Sequence, residues 1–107
     1  MIDQELEYRV LKLLERHPDM TQRELSKELG VSLGKTHYLV KALIQVGWVK
    51  LENFQRSNNK LGYAYLLTPA GVVERAKITR QFLIRKQIEY RQLRQEIERL
   101  KGEVDKF

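Results

Sequence analysis

No proline follows Pro69, and the apolar residues after it repeat in sevens. Tyr90, Ile97 and Val104 recur at one interval of seven, and Leu93, Leu100 and Phe107 follow each by three. That is the a/d pattern of a coiled coil, held for three heptads. Thr68 can cap the start of such a helix, with Pro69 at its first position. The helix is expected to run to Gly102, about 33 residues, or roughly 50 Å at 1.5 Å per residue. A rod of that length is longer than a body of some 70 residues can cover, so it needs a partner.

The charges beside the seam choose the partner's direction. Position g holds Glu89 and Glu96, and position e holds Arg94 and Lys101. In a parallel pair, g faces e of the next heptad, so Glu89 meets Arg94 and Glu96 meets Lys101. An antiparallel pair would set like charges together. A parallel homodimer is therefore expected. Upstream, Lys86 and Thr79 fall at d and break the register. There Val72, Val73, Ala76, Phe82, Leu83 and Ile84 are expected to pack on the first helix and the domain body.

The first 68 residues read as a separate unit. Asp3 is a good N-cap, and Leu6, Val10, Leu13 and Leu14 share one face of a first helix that Pro18 closes. Thr21-Gln22-Arg23-Glu24 forms a capping box opening a short second helix, with Leu25 and Leu29 inside and Gly30 as its left-handed cap. Ser32 caps a third helix whose buried side is Thr36, Leu39, Val40 and Leu43, ending at Gly47. Two helices joined by a short turn containing Gly are a helix-turn-helix. Two strands follow, Trp48 to Phe54 and Leu61 to Leu67, with a polar basic tip from Gln55 to Lys60 between them. Trp48, Tyr63 and Tyr65 are expected in the hairpin core. The fold class is mainly α with a small β-hairpin. A winged helix-turn-helix domain occupies 1–68, and a long C-terminal dimerisation helix occupies 69–107.

Charge locates the working surface. The chain carries 20 Lys and Arg against 14 Asp and Glu, net +6. The excess concentrates between Ser32 and Tyr65, where Lys35, Lys41, Lys50, Arg56 and Lys60 face one acid, Glu52. A basic middle on this scaffold suits double-stranded DNA. The third helix has the width to enter the major groove, presenting Gly34, Lys35, His37, Tyr38 and Lys41. Ser32 lies at its start. Thr21, Gln22 and Arg23 at the second helix's N-terminus suit a phosphate. Arg56, Asn58, Asn59 and Lys60 of the wing suit the backbone or the minor groove.

Other classes fit less well. The sequence holds 0 Cys and 2 His, which gives no typical zinc site, thiol nucleophile or disulfide framework, and no cofactor or metal is expected. No Gly-rich nucleophile turn or phosphate loop is present, His17 lies at a helix end before Pro18, and His37 lies on a helix with no carboxylate near in sequence, so an enzyme is not expected. No run of about 18 apolar residues exists, and Met1-Ile2-Asp3-Gln4-Glu5 is acidic where a signal peptide is basic, so a cytoplasmic location is expected. The rival to DNA binding is a winged helix that docks another protein. Such a domain would tolerate neutralisation of the wing and show little salt dependence.

The segment Thr21-Gln22-Arg23-Glu24-Leu25-Ser26-Lys27-Glu28-Leu29-Gly30-Val31-Ser32 resembles the helix-turn-helix of MarR-type regulators. Leu33-Gly34-Lys35-Thr36, Lys41-Ala42-Leu43-Ile44, Gly47-Trp48-Val49-Lys50 and Ser57 through Pro69 are similar to one branch, the small regulators associated with bacterial exopolysaccharide loci. The resemblance implies a bacterial transcriptional regulator near capsule or exopolysaccharide genes. It places recognition on Ser32 to Lys41 and the wing on Arg56 to Lys60. MarR proteins also carry a ligand pocket near the dimer interface, but no cluster of polar residues here marks one for a small-molecule effector.

Overall fold

The computed structural model describes residues 3–56 and 60–106, with side chains described outside 54–62. Its order is α1 (Gln4–Arg16), α2 (Gln22–Leu29), α3 (Leu33–Gln45), β1 (Val49–Arg56), β2 (Lys60–Leu67) and α4 (Pro69–Val104). The boundaries are set by local chemistry. The side chain of Asp3 accepts from the Glu5 amide, and Thr21 and Glu24 satisfy each other's backbone amides in a complete capping box. Gly30 closes α2 at φ 69°, a left-handed conformation that costs glycine little. Ser32 caps α3 through the Lys35 amide, and Thr68 caps α4 through Gly71.

The core lies between α1, α2 and α3. Leu6, Val10, Leu11 and Leu14 of α1 meet Leu25 and Leu29 of α2 and Leu39, Val40 and Leu43 of α3. Val49 and Ile78 complete it. The inner face of α1 includes Leu11, and the expected Leu13 is only half-buried against the cluster. Thr36 is the one buried polar residue of the core among the described residues; its hydroxyl donates to the Ser32 carbonyl at 2.9 Å, so its burial leaves that group satisfied. Arg9 joins α1 to α2 by donating to the carbonyls of Glu28 (2.8 Å) and Leu29 (3.2 Å), where the end of α2 lacks amide partners.

Strands β1 and β2 pair antiparallel from Val49 with Leu67 to Arg56 with Lys60. The hairpin is tied to the body where the Tyr65 amide donates to the Pro18 carbonyl at 2.9 Å. Trp48 and Tyr65 pack against the core as expected, but Tyr63 is exposed. Tyr63 shares the face of Tyr65 and Leu67 but lies two residues nearer the tip, beyond the residues packed on the core. Ser57, Asn58 and Asn59 at the tip lie outside the described residues.

Helix α4 departs from expectation in two ways. Val72, Val73, Ala76, Leu83 and Ile84 do not pack on the body; all are exposed. The docked face is Gly71, Ile78 and Phe82, residues spaced by seven and four along a 3.6-residue helix. Phe82 stacks on Tyr8 of α1 with ring centroids 5.1 Å apart, and Arg75 Nε lies 3.1 Å from Glu15 Oε2. Gly71 selects this face, because a Cβ there would overlap the Trp48 carbonyl oxygen. Only a glycine lets the base of α4 lie so close to the start of β1. Secondly, Gly102 does not end the helix, which continues to Val104. One glycine within a helix costs about 1 kcal/mol, which is not enough to stop it.

From Leu83 to Lys106 every residue is exposed. The molecule therefore extends 70 × 26 × 25 Å, with a radius of gyration of 19.2 Å against about 13 Å for a compact chain of this length.

Candidate nucleic-acid interface

The site begins with the turn Gly30-Val31-Ser32, which sets α3 across α2. With Thr36, Leu39, Val40 and Leu43 turned into the core, helical periodicity directs the rest of α3 outward. Leu33, Gly34, Lys35, His37, Tyr38 and Lys41 are all exposed, and Tyr38 is 59% exposed. A Cβ on Gly34 would meet nothing within 4 Å, so its absence opens that turn of the helix to close approach. Lys35 and Lys41 stand about 1.7 turns apart, at the two edges of this face. Arg23 is also exposed, at the start of α2. Lys50 is differently placed: its ammonium sits 2.8 Å from Glu52, so the middle segment's single acid offsets a lysine of the strand and not one of α3.

Several expected contact groups are also engaged within the protein. The Thr21 hydroxyl accepts from the Glu24 amide at 3.1 Å, and the Ser32 hydroxyl from the Lys35 amide at 3.1 Å. Gln22 is a bridge. Its Nε2 donates to the Tyr65 hydroxyl at 3.1 Å, and its Oε1 lies 3.3 Å from His37 Nδ1. One side chain of α2 thus connects the outward face of α3 to the hairpin. Sequence reasoning assigned Gln22 to a helix terminus and missed this bridge, because Tyr65 lies 43 residues away and no local pattern reports it. Beside the bridge, α3 and the hairpin enclose a cavity of about 340 Å³ lined by Gln22, His37, Lys41, Ile44, Leu51 and Tyr65 among others.

The wing strands end with Arg56 opposite Lys60, which puts two cationic positions at the hairpin tip. Asn58 and Asn59 lie outside the described residues, as do the side chains of Arg56 and Lys60. Among the described residues no group of His, Asp and Glu could hold a metal ion. No helix among them is long and apolar enough to cross a membrane.

On α4, Tyr90, Leu93, Ile97, Leu100 and Val104 form an exposed stripe. Phe107, expected at the last d position, lies outside the described residues. Lys86 pairs with Glu89 at 3.2 Å and Lys101 with Glu98 at 3.9 Å along the helix itself. These pairs are solvent-exposed, so they contribute little and yield readily to other partners.

Three helices, a crossing turn and a two-stranded wing define a winged helix-turn-helix protein, and a long C-terminal helix is added to it. A family model described as winged helix-turn-helix DNA-binding matches residues 3–50. Among solved structures, the chain is similar to apo MarR from Escherichia coli, with 28% identity and a TM-score of 0.56 over 69% of this chain and 53% of that one. It is also similar to a MarR/EmrR family transcriptional regulator from Acinetobacter sp. ADP1, with 24% identity and a TM-score of 0.58 over 94% and 75% of the two chains. FabT from Streptococcus pneumoniae, solved in complex with DNA, gives 23% identity and a TM-score of 0.53 over 78% and 58%. The chain spans about half the length of Escherichia coli MarR. No curated protein sequence matches it significantly.

Proposed function

We propose that this protein is a MarR-like transcriptional regulator that binds double-stranded DNA sequence-specifically as a homodimer. The observation that carries this reading is the outer face of α3. Lys35, His37, Tyr38 and Lys41 are exposed together on a helix whose other side is locked into the core. Lys35 and Lys41 neutralise phosphates, while His37 and Tyr38 face base edges. Arg23 and the amides at the start of α2 take a further phosphate. Arg56, Asn58, Asn59 and Lys60 extend the wing over the backbone. The protein works in the cytoplasm, without a cofactor and without catalysis.

The dimer forms through α4 as a parallel coiled coil. Support comes from the exposed Tyr90, Leu93, Ile97, Leu100 and Val104, and from the placement of Glu89 and Glu96 against Arg94 and Lys101. Two recognition helices then read half-sites about one helical turn, roughly 34 Å, apart. The likeness of residues 57–69 to the exopolysaccharide-associated regulators supports target genes of that kind.

The test is a gel-shift titration on the DNA upstream of the protein's own gene, beside a shuffled control, at several salt concentrations. Tight selective binding is expected. If Arg23, Lys35, Lys41, Arg56 and Lys60 of both subunits each neutralise a phosphate, log K against log salt has a slope of about −9. Equal weak binding to both duplexes with a shallow slope overturns the reading and favours a protein-docking winged helix.

A further inference from the structure

His37 is the only outward residue on α3 whose hydrogen-bonding character depends on where a proton sits. A neutral imidazole carries one N–H and one bare nitrogen, and the partner of one nitrogen fixes the role of the other. In this protein Nδ1 lies 3.3 Å from Gln22 Oε1, which can only accept. In this orientation of the amide, its Nε2 donates to the Tyr65 hydroxyl at 3.1 Å. Tyr65 is in turn fixed by its backbone bond to Pro18 and by packing on the core. With the amide in that orientation, the proton of His37 sits on Nδ1. Nε2, on the far side of the ring, is left as a bare acceptor on an exposed residue. An unconstrained histidine favours the opposite arrangement, with the proton on Nε2.

In the major groove this distinction is a base code. Adenine and cytosine each offer an exocyclic amino donor there, whereas guanine offers N7 and O6 acceptors and thymine an O4 acceptor. We propose that Gln22 is a positioning residue that sets the tautomer of His37, so that the recognition helix selects an amino base, adenine or cytosine, over a keto base. This rests on the DNA-binding reading above. It assigns specificity to a residue of α2 that need not touch a base. Lys41, one turn beyond His37 and lining the same cavity, adds positive charge but no acceptor.

The experiment has two arms. In the first, a long-range ¹⁵N–¹H correlation spectrum of the free full chain identifies the protonated ring nitrogen. It is recorded well above the ordinary imidazole pKa of about 6.5, with a His17→Gln variant to assign the signals. The wild type should show the proton on Nδ1, Gln22→Glu should keep it there because the carboxylate still accepts, and Gln22→Leu should move it to Nε2. In the second arm, each protein selects sites from a randomised duplex library. His37→Ala identifies the position that the ring reads by flattening it. At that position the wild type and Gln22→Glu should enrich adenine or cytosine by about fivefold, the value of one base-edge hydrogen bond. Gln22→Leu should shift the preference toward guanine or thymine. A general loss of packing would weaken every position alike and would not reverse one.

The proposal is overturned if the wild-type proton sits on Nε2, if the flattened position favours a keto base, or if Gln22→Leu leaves the preference unchanged. If no sequence is enriched at all, the DNA-binding reading falls and this one with it. The first arm then still shows whether Gln22 controls the ring.

Discussion

Replacing Gly71 with alanine tests the packing of α4 most directly. A Cβ at that position would overlap the Trp48 carbonyl oxygen and sit 2.9 Å from the carbonyl carbon and 3.2 Å from the Trp48 Cα. All three are backbone atoms, so no rotamer change relieves them. The base of α4 has to retreat by about 1 Å or more, a shift that overpacking usually makes costly, at roughly 1–3 kcal/mol. The retreat also strains two hydrogen bonds, from the Thr68 amide to Trp48 at 3.0 Å and from the Thr68 hydroxyl to Gly47 at 2.6 Å. Each contributes about 1 kcal/mol. Against this, alanine gains about 1 kcal/mol of helix propensity over glycine. The balance is a loss of about 2–4 kcal/mol. A body of some 70 residues holds on the order of 4–10 kcal/mol in total, so the effect would be large. Gly102 provides the control: a Cβ there meets nothing within 4 Å, and Gly102→Ala should stabilise by about 1 kcal/mol. Urea titrations followed by circular dichroism, at matched protein concentration, measure both. A Gly71→Ala variant within 0.5 kcal/mol of wild type, or above it, would show that Gly71 does not set the approach of α4.

Two other substitutions probe the helical body. Arg9→Met keeps the apolar stem but leaves the Glu28 and Leu29 carbonyls without the guanidinium, and should cost about 1 kcal/mol by urea denaturation; no loss would show that water serves those carbonyls equally well. Burial, with the Glu74 carboxylate in addition, raises the Glu7 carboxyl above its usual 4.5. The folded state thus favours protonated Glu7, a contribution fully present below the unfolded pKa and lost as pH rises through the folded one. Glu7→Gln should therefore be more stable than wild type at pH 7, by a few tenths of a kcal/mol at this solvent-screened site, with the advantage vanishing below about pH 4. An advantage that is independent of pH would refute the electrostatic cause.

What the sequence made legible was local. Asp3, the Thr21–Glu24 box, Gly30, Ser32 and Thr68 each act within three or four residues of themselves, so spacing alone places α1 to α4. The buried face of α3 was legible for the same reason, and its outward residues follow from it by subtraction. The docking of α4 was not. Val72 and Val73 are larger and more apolar than Gly71, and a pattern that counts hydrophobic side chains chooses them. The contact is decided by how closely two backbones approach, which rewards the absence of a side chain. The Gln22 bridge was hidden differently, since it needs α2, α3 and β2 in place before it has meaning.

Thr68 gathers three parts of the molecule at one point. Its hydroxyl takes the carbonyl at the exit of α3, its amide takes the carbonyl at the entry of β1, and the same hydroxyl caps α4. Through Thr68 the base of α4 is hydrogen-bonded directly to the segment that follows α3. A twist applied along α4 is therefore delivered to α3 as a rotation, much as a key turns a lock cylinder. In a paired rod, the phase at which two seams lock together becomes a setting for the angle between the two reading heads. In the proposed dimer, a single-residue insertion after Ile84 would turn everything beyond it by about 100° and re-aim the two α3 helices relative to each other without altering any residue of α3.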